Sequence, residues 1–181
     1  IYQPDISTLG VISLTMVAIY FVSGMPKWHI ALIILGAILC LFVLVKFEPY
    51  RLSRLTTFLN PEADPLGAGF QFKQALIAVG SGGLGGIGLG MSGQNSFLPQ
   101  SMSDSTFAVF AEETGFVGCL ILISLFIMFL WAGIAIAKHA DDKFGQFVAL
   151  GITFWILFQG FVNISSMIGI FPLGGIPLPF I

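Results

Sequence analysis

The sequence predicts an all-α polytopic membrane protein, with about four transmembrane helices and one long, partly structured loop. The chain of 181 residues is 56% hydrophobic and only 9% charged, whereas soluble domains carry roughly 25% charged residues. Four apolar runs reach the length of about 17–25 residues that a membrane-spanning helix needs. The net charge of −2 offers no basic surface for a nucleic acid.

The four predicted spans cover approximately residues 6–22, 29–45, 114–137 and 144–161. Pro4 and Asp5 favour a helix start before the first span, because the proline ring suits the entry and an aspartate can cap free N–H groups. Met25 and Pro26 separate the first span from the second. The chain has neither an initiator Met nor a C-terminal tail, so we expect a piece of a longer polytopic chain.

Residues 70–90 are apolar but form a poor spanning helix, because seven glycines fall within eleven residues. Each glycine weakens a helix by up to about 1 kcal/mol relative to Ala, and irregular backbone at membrane depth must be buried in protein or line a cavity. We therefore expect a partly inserted or lid-like segment instead of a span. Gly82, Gly86 and Gly90 share a spacing of four, which favours close helix contact; a backbone-lined substrate surface is the alternative. The match of residues 80–85 to G-x-G-x-x-G is rejected, since no strand precedes it.

Polar chemistry is concentrated between residues 48 and 115, where both arginines, Lys73 and most acidic residues lie. Asp104 comes shortly before the third span. Two roles are open for it: a helix N-cap, or a general base in a partly desolvated crevice at the membrane edge.

Glu112 and Glu113 form a second acidic position. If the intervening chain is helical, the rise from Asp104 to Glu112 is about 12 Å, which exceeds the roughly 5–9.5 Å between the paired carboxylates of glycosidases. Asp104 would then act without Glu112 or Glu113. Adjacent acids close to a membrane are costly, so we expect them to pair with cations or to be held by hydrogen bonds.

Arg51, Arg54 and Lys73 are the candidate partners for an anion, since a guanidinium matches phosphate oxygens and lysine acts as a point charge. Anchoring to lipid headgroups is the alternative. His29 and His139 lie at predicted helix ends, apart from other ligand-type residues, and indicate no zinc site.

Gln159 and Asn163 share one face of the fourth span. Such side chains usually bond neighbouring helices in membrane proteins, and we expect the same here.

Six segments, in order, resemble the SEDS family of bacterial cell-wall polymerases, to which FtsW, RodA and SpoVE belong. They are QPDIST at residues 3–8, EPYRLSRLTTFLNPEADPLGAGFQ at 48–71, QALIAVGSGG at 74–83, FLPQSMSD at 97–104, FAVFAEETGFVG at 107–118 and GGIPLPFI at 174–181. The segment GGIGLGMSGQ leans toward the FtsW and SpoVE branch. The resemblance implies that residues 1–181 are a single integral-membrane domain, a fragment of a fold of about ten helices. It also makes residues 46–105 a large extracytoplasmic loop, an orientation that the lysine and arginine counts leave open.

The resemblance further implies a lipid II-dependent peptidoglycan glycosyltransferase, multi-pass in the bacterial cytoplasmic membrane, for cell division or shape. Asp104 falls on the essential aspartate of the family and is the implied base. Other implied site residues bind the lipid-linked pyrophosphate or support the site: Arg51, Arg54, Lys73 and Gln94 for binding, and Asp5, Glu112 and Glu113 for support. No cofactor is certain, and a divalent cation, Mg²⁺ or Mn²⁺, is the candidate. Implied partners are lipid II with its undecaprenyl carrier, a class B penicillin-binding protein transpeptidase, and other divisome or elongasome membrane proteins.

The surroundings of the aspartate depart from the family pattern. HTDFIF reads MSDSTF here, and Asn95 stands where a lysine often follows the glutamine, so roles of flanking residues do not transfer. Two other functions stay open: a polytopic transporter or flippase of lipid-linked precursors, and a division scaffold without chemistry. Transport paths place acids in mid-helix, whereas most acids here lie in one loop or at its edges, which favours the enzyme.

Overall fold

The computed structural model describes residues 6–24, 67–92, 105–172 and 174–180, with 26, 28–29, 31–33, 35–37, 39, 58 and 60. Within these residues the chain is helical, with connecting turns and no β-strand. Four helices have defined bounds: α1 (Ile6–Val22), α2 (Ala68–Ser81), α3 (Thr106–Lys138) and α4 (Lys143–Met167). The predicted all-α class is therefore confirmed.

Helix α1 has the bounds predicted for the first span. The hydroxyls of Ser13 and Thr15 donate to the carbonyl oxygens of Leu9 and Val11, each at 2.8 Å, so the helix satisfies its own polar groups. Asp5, the predicted cap, lies outside the described residues. The second predicted span, residues 29–45, is described only in part, and its described residues from 29 to 39 are helical.

Among the described residues, α3 and α4 are the helices long and apolar enough to cross a membrane. α3 has 33 residues and begins eight residues before the predicted span, and α4 has 25 residues and ends six residues after it. Many apolar side chains of α3 face outward, as Trp131 does with 76% of its surface exposed. An apolar surface of this extent is typical of contact with lipid or with further helices.

α3 packs along α4, α4 also packs against α1, and α2 lies against α3. The buried core lies where α2, the first turns of α3 and the end of α4 meet. Its members are mostly small or aliphatic: Ala75, Ala78, Phe107, Ala108, Ala111, Leu122, Met167 and Leu178. The alanines allow the backbones of α2 and α3 to approach closely. The start of α3 is therefore the most firmly packed part of this helix.

Helix α4 has a defined cap at each end. At its start, the side chain of Asp142 accepts a hydrogen bond from the N–H of Gly145 at 3.1 Å. At its end, Gly169 has φ 81°, and the N–H of Ile170 donates to the carbonyl oxygen of Ser165 at 2.8 Å. This Schellman turn ends the helix and reverses the chain.

After this turn, residues 174–180, the C-terminal segment, run back along α4 without helical structure. The side-chain amide of Asn163 donates to the carbonyl oxygen of Ile176 at 2.7 Å, and that of Gln159 donates to Pro177 at 3.0 Å. These bonds join the two side chains to an extended segment, whereas the sequence predicted bonds to a neighbouring helix. The prolines prevent the segment from forming a helix, and its carbonyl oxygens need partners from elsewhere.

Candidate functional site

Helix α3 is broken at Gly115, which has φ 68° and ψ −166°. Residues with a side chain rarely adopt this conformation. In a continuous helix, the N–H groups of Phe116 and Val117 would bond the carbonyl oxygens of Glu112 and Glu113. The break leaves these four backbone groups in need of other partners.

Residues 82–90, the glycine loop, supply all four partners. Two N–H groups of α3 donate to the loop and two carbonyl oxygens of α3 accept from it: Phe116 to Gly83 at 2.9 Å, Val117 to Leu84 at 3.2 Å, Ile87 to Glu112 at 3.0 Å and Gly88 to Glu113 at 3.1 Å. All four backbone groups freed by the break are therefore paired, as a membrane environment requires.

Close approach explains why glycines line this contact. A Cβ on Gly82 would lie 3.1 Å from the Cα of Glu112, and a Cβ on Gly115 would lie 2.8 Å from the carbonyl oxygen of Leu84. The glycines do not form the predicted small-residue face of a helix, however, because α2 ends at Ser81 and Gly86 has φ 78°. Gly90, the third glycine of that pattern, has open space where a Cβ would be. Glycine's helix-breaking tendency thus outweighed the spacing of four.

The side chain of Glu112 is buried at the same contact, with 5% of its surface exposed. Its Oε2 accepts a hydrogen bond from Ser92 Oγ at 2.5 Å. Its Oε1 lies 3.5 Å from Ser81 Oγ, which also donates to its own helix at Ala78 over 2.8 Å. Strong hydrogen bonds to a carboxylate are short. With a distance of 2.5 Å against 3.5 Å, Ser92 is therefore the main partner of this carboxylate.

Of the predicted site residues, the structure describes Lys73, Glu112 and Glu113. Glu112 and Glu113 both lie at the break in α3, where their carbonyl oxygens accept from the glycine loop. Lys73 is exposed on α2, which leads into this loop. Five predicted site residues lie outside the described part of the chain: Asp5, Arg51, Arg54, Gln94 and Asp104.

The N-cap of α3 is Ser105, whose backbone carbonyl accepts from Ala108 at 3.0 Å and whose side chain makes no capping bond. Asp104, one residue earlier, lies outside the described residues, so both of its predicted roles stay predictions. α3 is helical from Thr106 onward, so the chain between Thr106 and Glu112 is helical as the prediction assumed.

Two serines in this contact were missed by the sequence reasoning: Ser81 and Ser92. Only the requirement that Glu112 be paired or hydrogen-bonded pointed toward them. Ser92 and Glu112 are separated by 20 residues, and no local periodicity connects them.

Within the described residues, no group of three His, Cys, Asp or Glu side chains could hold a metal ion. His29 Nδ1 lies 2.7 Å from the hydroxyl of Tyr20, and His139 Nδ1 lies 2.8 Å from the carbonyl oxygen of Ala135. The candidate Mg²⁺ or Mn²⁺ therefore has no ligand set in this part of the chain.

The chain is similar to known proteins of one family. A family model described as cell cycle protein, FtsW/RodA/SpoVE, matches residues 1–181. Stage V sporulation protein E of Bacillus subtilis is 44% identical over 180 residues, which cover 99% of this chain and 49% of that protein. The probable peptidoglycan glycosyltransferase FtsW of Idiomarina loihiensis is 41% identical over 183 residues, which cover 99% of this chain and 45% of that protein.

The fold also matches a solved structure, described as "Structural coordination of polymerization and crosslinking by a peptidoglycan synthase complex". The TM-score is 0.73 at 27% sequence identity, and the match covers 98% of this chain and 49% of the other. The chain thus spans about half the length of the relatives that it matches. Since the family model covers every residue, the chain belongs to the FtsW/RodA/SpoVE family of cell cycle proteins.

Proposed function

We propose that this chain is part of a peptidoglycan glycosyltransferase that polymerises lipid II into glycan strands at the outer face of the bacterial cytoplasmic membrane. The observation that carries the proposal is the 41% identity, over nearly the whole chain, to a relative named probable peptidoglycan glycosyltransferase FtsW. The apolar α3 and α4 support it, because a lipid-linked substrate stays in the bilayer by its hydrocarbon tail and requires an enzyme that does the same.

The proposed reaction needs one base. As the hydroxyl of the acceptor sugar attacks the anomeric carbon of the donor, it loses its proton, and the bond from that carbon to the lipid pyrophosphate breaks. Asp104 is assigned as the group that takes the proton. One peptide bond joins it to Ser105, a buried residue at the packed start of α3, and this attachment supports the assignment.

The leaving pyrophosphate needs positive charge more than it needs an acid. Arg51 and Arg54 are assigned to its oxygens as planar donors, with Gln94 as a neutral donor and Lys73 as a point charge. Lys73 supports this role because its side chain is exposed on α2, the helix that leads into the glycine loop. Replacement of Lys73 by Gln is expected to lower kcat for glycan synthesis, because negative charge grows on the pyrophosphate as its bond to the anomeric carbon breaks.

The test is lipid II polymerisation by the full-length protein with its partner transpeptidase, in membranes. Asp104→Asn should lower glycan synthesis by about 10²-fold or more, the usual contribution of a general base. Asp141→Asn is the matched control, because Asp141 is an exposed acid in the turn between α3 and α4. Near-normal glycan synthesis by Asp104→Asn would refute the assignment.

The partner is proposed on the same basis. The solved structure that this chain resembles is described as a peptidoglycan synthase complex that coordinates polymerization and crosslinking. A class B penicillin-binding protein, which crosslinks the new strands, is the corresponding partner for this family member. Co-purification of the full-length protein with each such transpeptidase of its host tests the pairing. Normal division in a strain that carries only Asp104→Asn would instead indicate a scaffold without chemistry.

A flippase of lipid-linked precursors is the second candidate, favoured by one observation. α3 is broken beside the buried carboxylate of Glu112, and broken helices with intramembrane acids also line transport paths. Proteoliposomes with fluorescent lipid II distinguish the two functions. Movement of lipid II between leaflets without a glycan product would favour the flippase, whereas glycan without such movement would favour the polymerase.

A further inference from the structure

Glu112 contacts the glycine loop at three places along its course. Near the start of the loop, its Oε1 lies 3.5 Å from Ser81 Oγ. In the middle, its backbone carbonyl accepts from the N–H of Ile87 at 3.0 Å. At the exit, its Oε2 accepts from Ser92 Oγ at 2.5 Å. Glu112 therefore contacts the middle of the loop and the serines that flank it on both sides.

The position of the loop exit depends on the Glu112 carboxylate more than the position of the other loop residues does. Within the described residues, the backbone bonds between the loop and α3 involve residues 83, 84, 87 and 88. Leu89 and Met91 are exposed, and Gly90 has open space around it. One turn bond, from the N–H of Met91 to the carbonyl oxygen of Gly88 at 3.2 Å, shapes this stretch locally but does not tie it to α3.

The contact is also built to exclude water. Both Ser92 and Glu112 are buried, and a buried carboxylate is stable only when its oxygens receive hydrogen bonds. Loss of the Ser92 hydroxyl would leave Oε2 buried without this donor, and the exit could then open to let water in. The bond between Ser92 and Glu112 thus couples the course of the loop to the hydration of the carboxylate.

We propose that Glu112 is a positioning residue for the proposed glycosyl transfer: through Ser92, it fixes the direction in which the chain leaves the glycine loop. The inference rests on the proposed function, since the chain that leaves at Ser92 leads to Gln94 and Asp104. Glu112 itself touches neither sugar nor phosphate in this role. It acts by holding Ser92, the last described residue before the segment that carries the reacting side chains.

The test compares Ser92→Ala, Ser92→Thr and Glu112→Gln in the full-length protein with its partner. Ser92→Thr keeps the hydroxyl and should restore what Ser92→Ala loses. Ser124→Ala is the matched control, because Ser124 is an exposed serine of α3 whose hydroxyl bonds its own helix at Ile121 over 2.6 Å. Two quantities are measured: hydrogen exchange of the amides in residues 82–92, and kcat and KM for lipid II.

Ser92→Ala should speed exchange in residues 82–92 by about tenfold, as expected for loss of a hydrogen bond to a charged group. It should also lower kcat by about tenfold and leave the KM for lipid II within about twofold. Glu112→Gln should behave in the same direction with a smaller change, since an amide oxygen can still accept one bond. Ser124→Ala and Ser92→Thr should match the wild type in both measurements.

Unchanged exchange in both Ser92→Ala and Glu112→Gln would overturn the proposal, and so would faster exchange with unchanged kcat. The proposed function fails in a different way, namely if the wild-type protein makes no glycan from lipid II. In that case the exchange rates still decide whether Glu112 holds the loop.

Discussion

Gly115 and Gly86 lie backbone to backbone where the broken helix meets the glycine loop. A Cβ on Gly115 would collide with the amide nitrogen of Gly86, and a Cβ on Gly86 would collide with the carbonyl oxygen of Glu113. Both residues have positive φ, 68° and 78°. The break and the loop are therefore one structural unit, since neither conformation leaves its backbone groups paired without the other.

Gly115→Ala should destabilise the full-length protein by at least about 3 kcal/mol, because it adds strain at positive φ to a collision between backbones. Gly80→Ala is the matched control: Gly80 is helical, and nothing lies within 4 Å of the position of its Cβ. The control should be neutral or stabilising by up to about 1 kcal/mol. Thermal unfolding in detergent measures both, and equal melting temperatures for the two variants would contradict the prediction.

Asn163→Leu should cost about 1–3 kcal/mol, because it leaves the carbonyl oxygen of Ile176 without its donor in a buried position. Gln159→Leu should cost less, since its bond to Pro177 is exposed. Limited proteolysis near residues 174–180 gives a local readout. Cleavage as slow in Asn163→Leu as in the wild type would contradict this account.

Gly133→Ala should separate α3 from α4, because a Cβ there would lie 2.6 Å from Cγ2 of Thr153 and collide with its hydroxyl. Overpacking of this kind costs about 1–3 kcal/mol. Adding Thr153→Ala removes both of these atoms and should recover part of the loss. A double-mutant cycle on the melting temperature measures the coupling, and strictly additive effects would show that the two positions are not in contact.

Asp142→Ala should cost about 1 kcal/mol through loss of the cap on α4. Asp141→Ala, one residue earlier and equally exposed, provides the comparison. Only Asp142 accepts from the N–H of Gly145, so hydrogen exchange at the first turn of α4 should rise in the first variant alone.

Hydropathy and glycine content predicted much of this fold, because both act locally. The span predicted at residues 114–137 begins at the break, and the end of α2 at Ser81 follows from the glycines after it. The face that Gln159 shares with Asn163 was also correct. Their partner was not, because helical periodicity carries no information about an extended segment lying alongside.

The candidate site was less accessible to sequence. The free-energy cost of two adjacent acids near a membrane predicted that Glu112 needs hydrogen-bond partners. Which hydroxyl groups come close to it depends on tertiary packing, because Ser92 is 20 residues away in the sequence. Four candidate site residues lie outside the described part of the chain, so their roles stay predictions: Arg51, Arg54, Gln94 and Asp104.

The position of the break at Gly115 also determines how deep each part of α3 lies in the membrane. The 23 residues from Phe116 to Lys138 rise by about 34 Å, close to the roughly 30 Å of the hydrocarbon layer. When this part of α3 fills that layer, the nine residues before the break and the glycine loop beside them lie at the level of the phosphate headgroups. A molecule anchored by a hydrocarbon tail carries its own phosphates at that same height. The position of the break thus sets the depth at which protein backbone meets the phosphates of such a molecule, between its hydrocarbon tail and its water-exposed part.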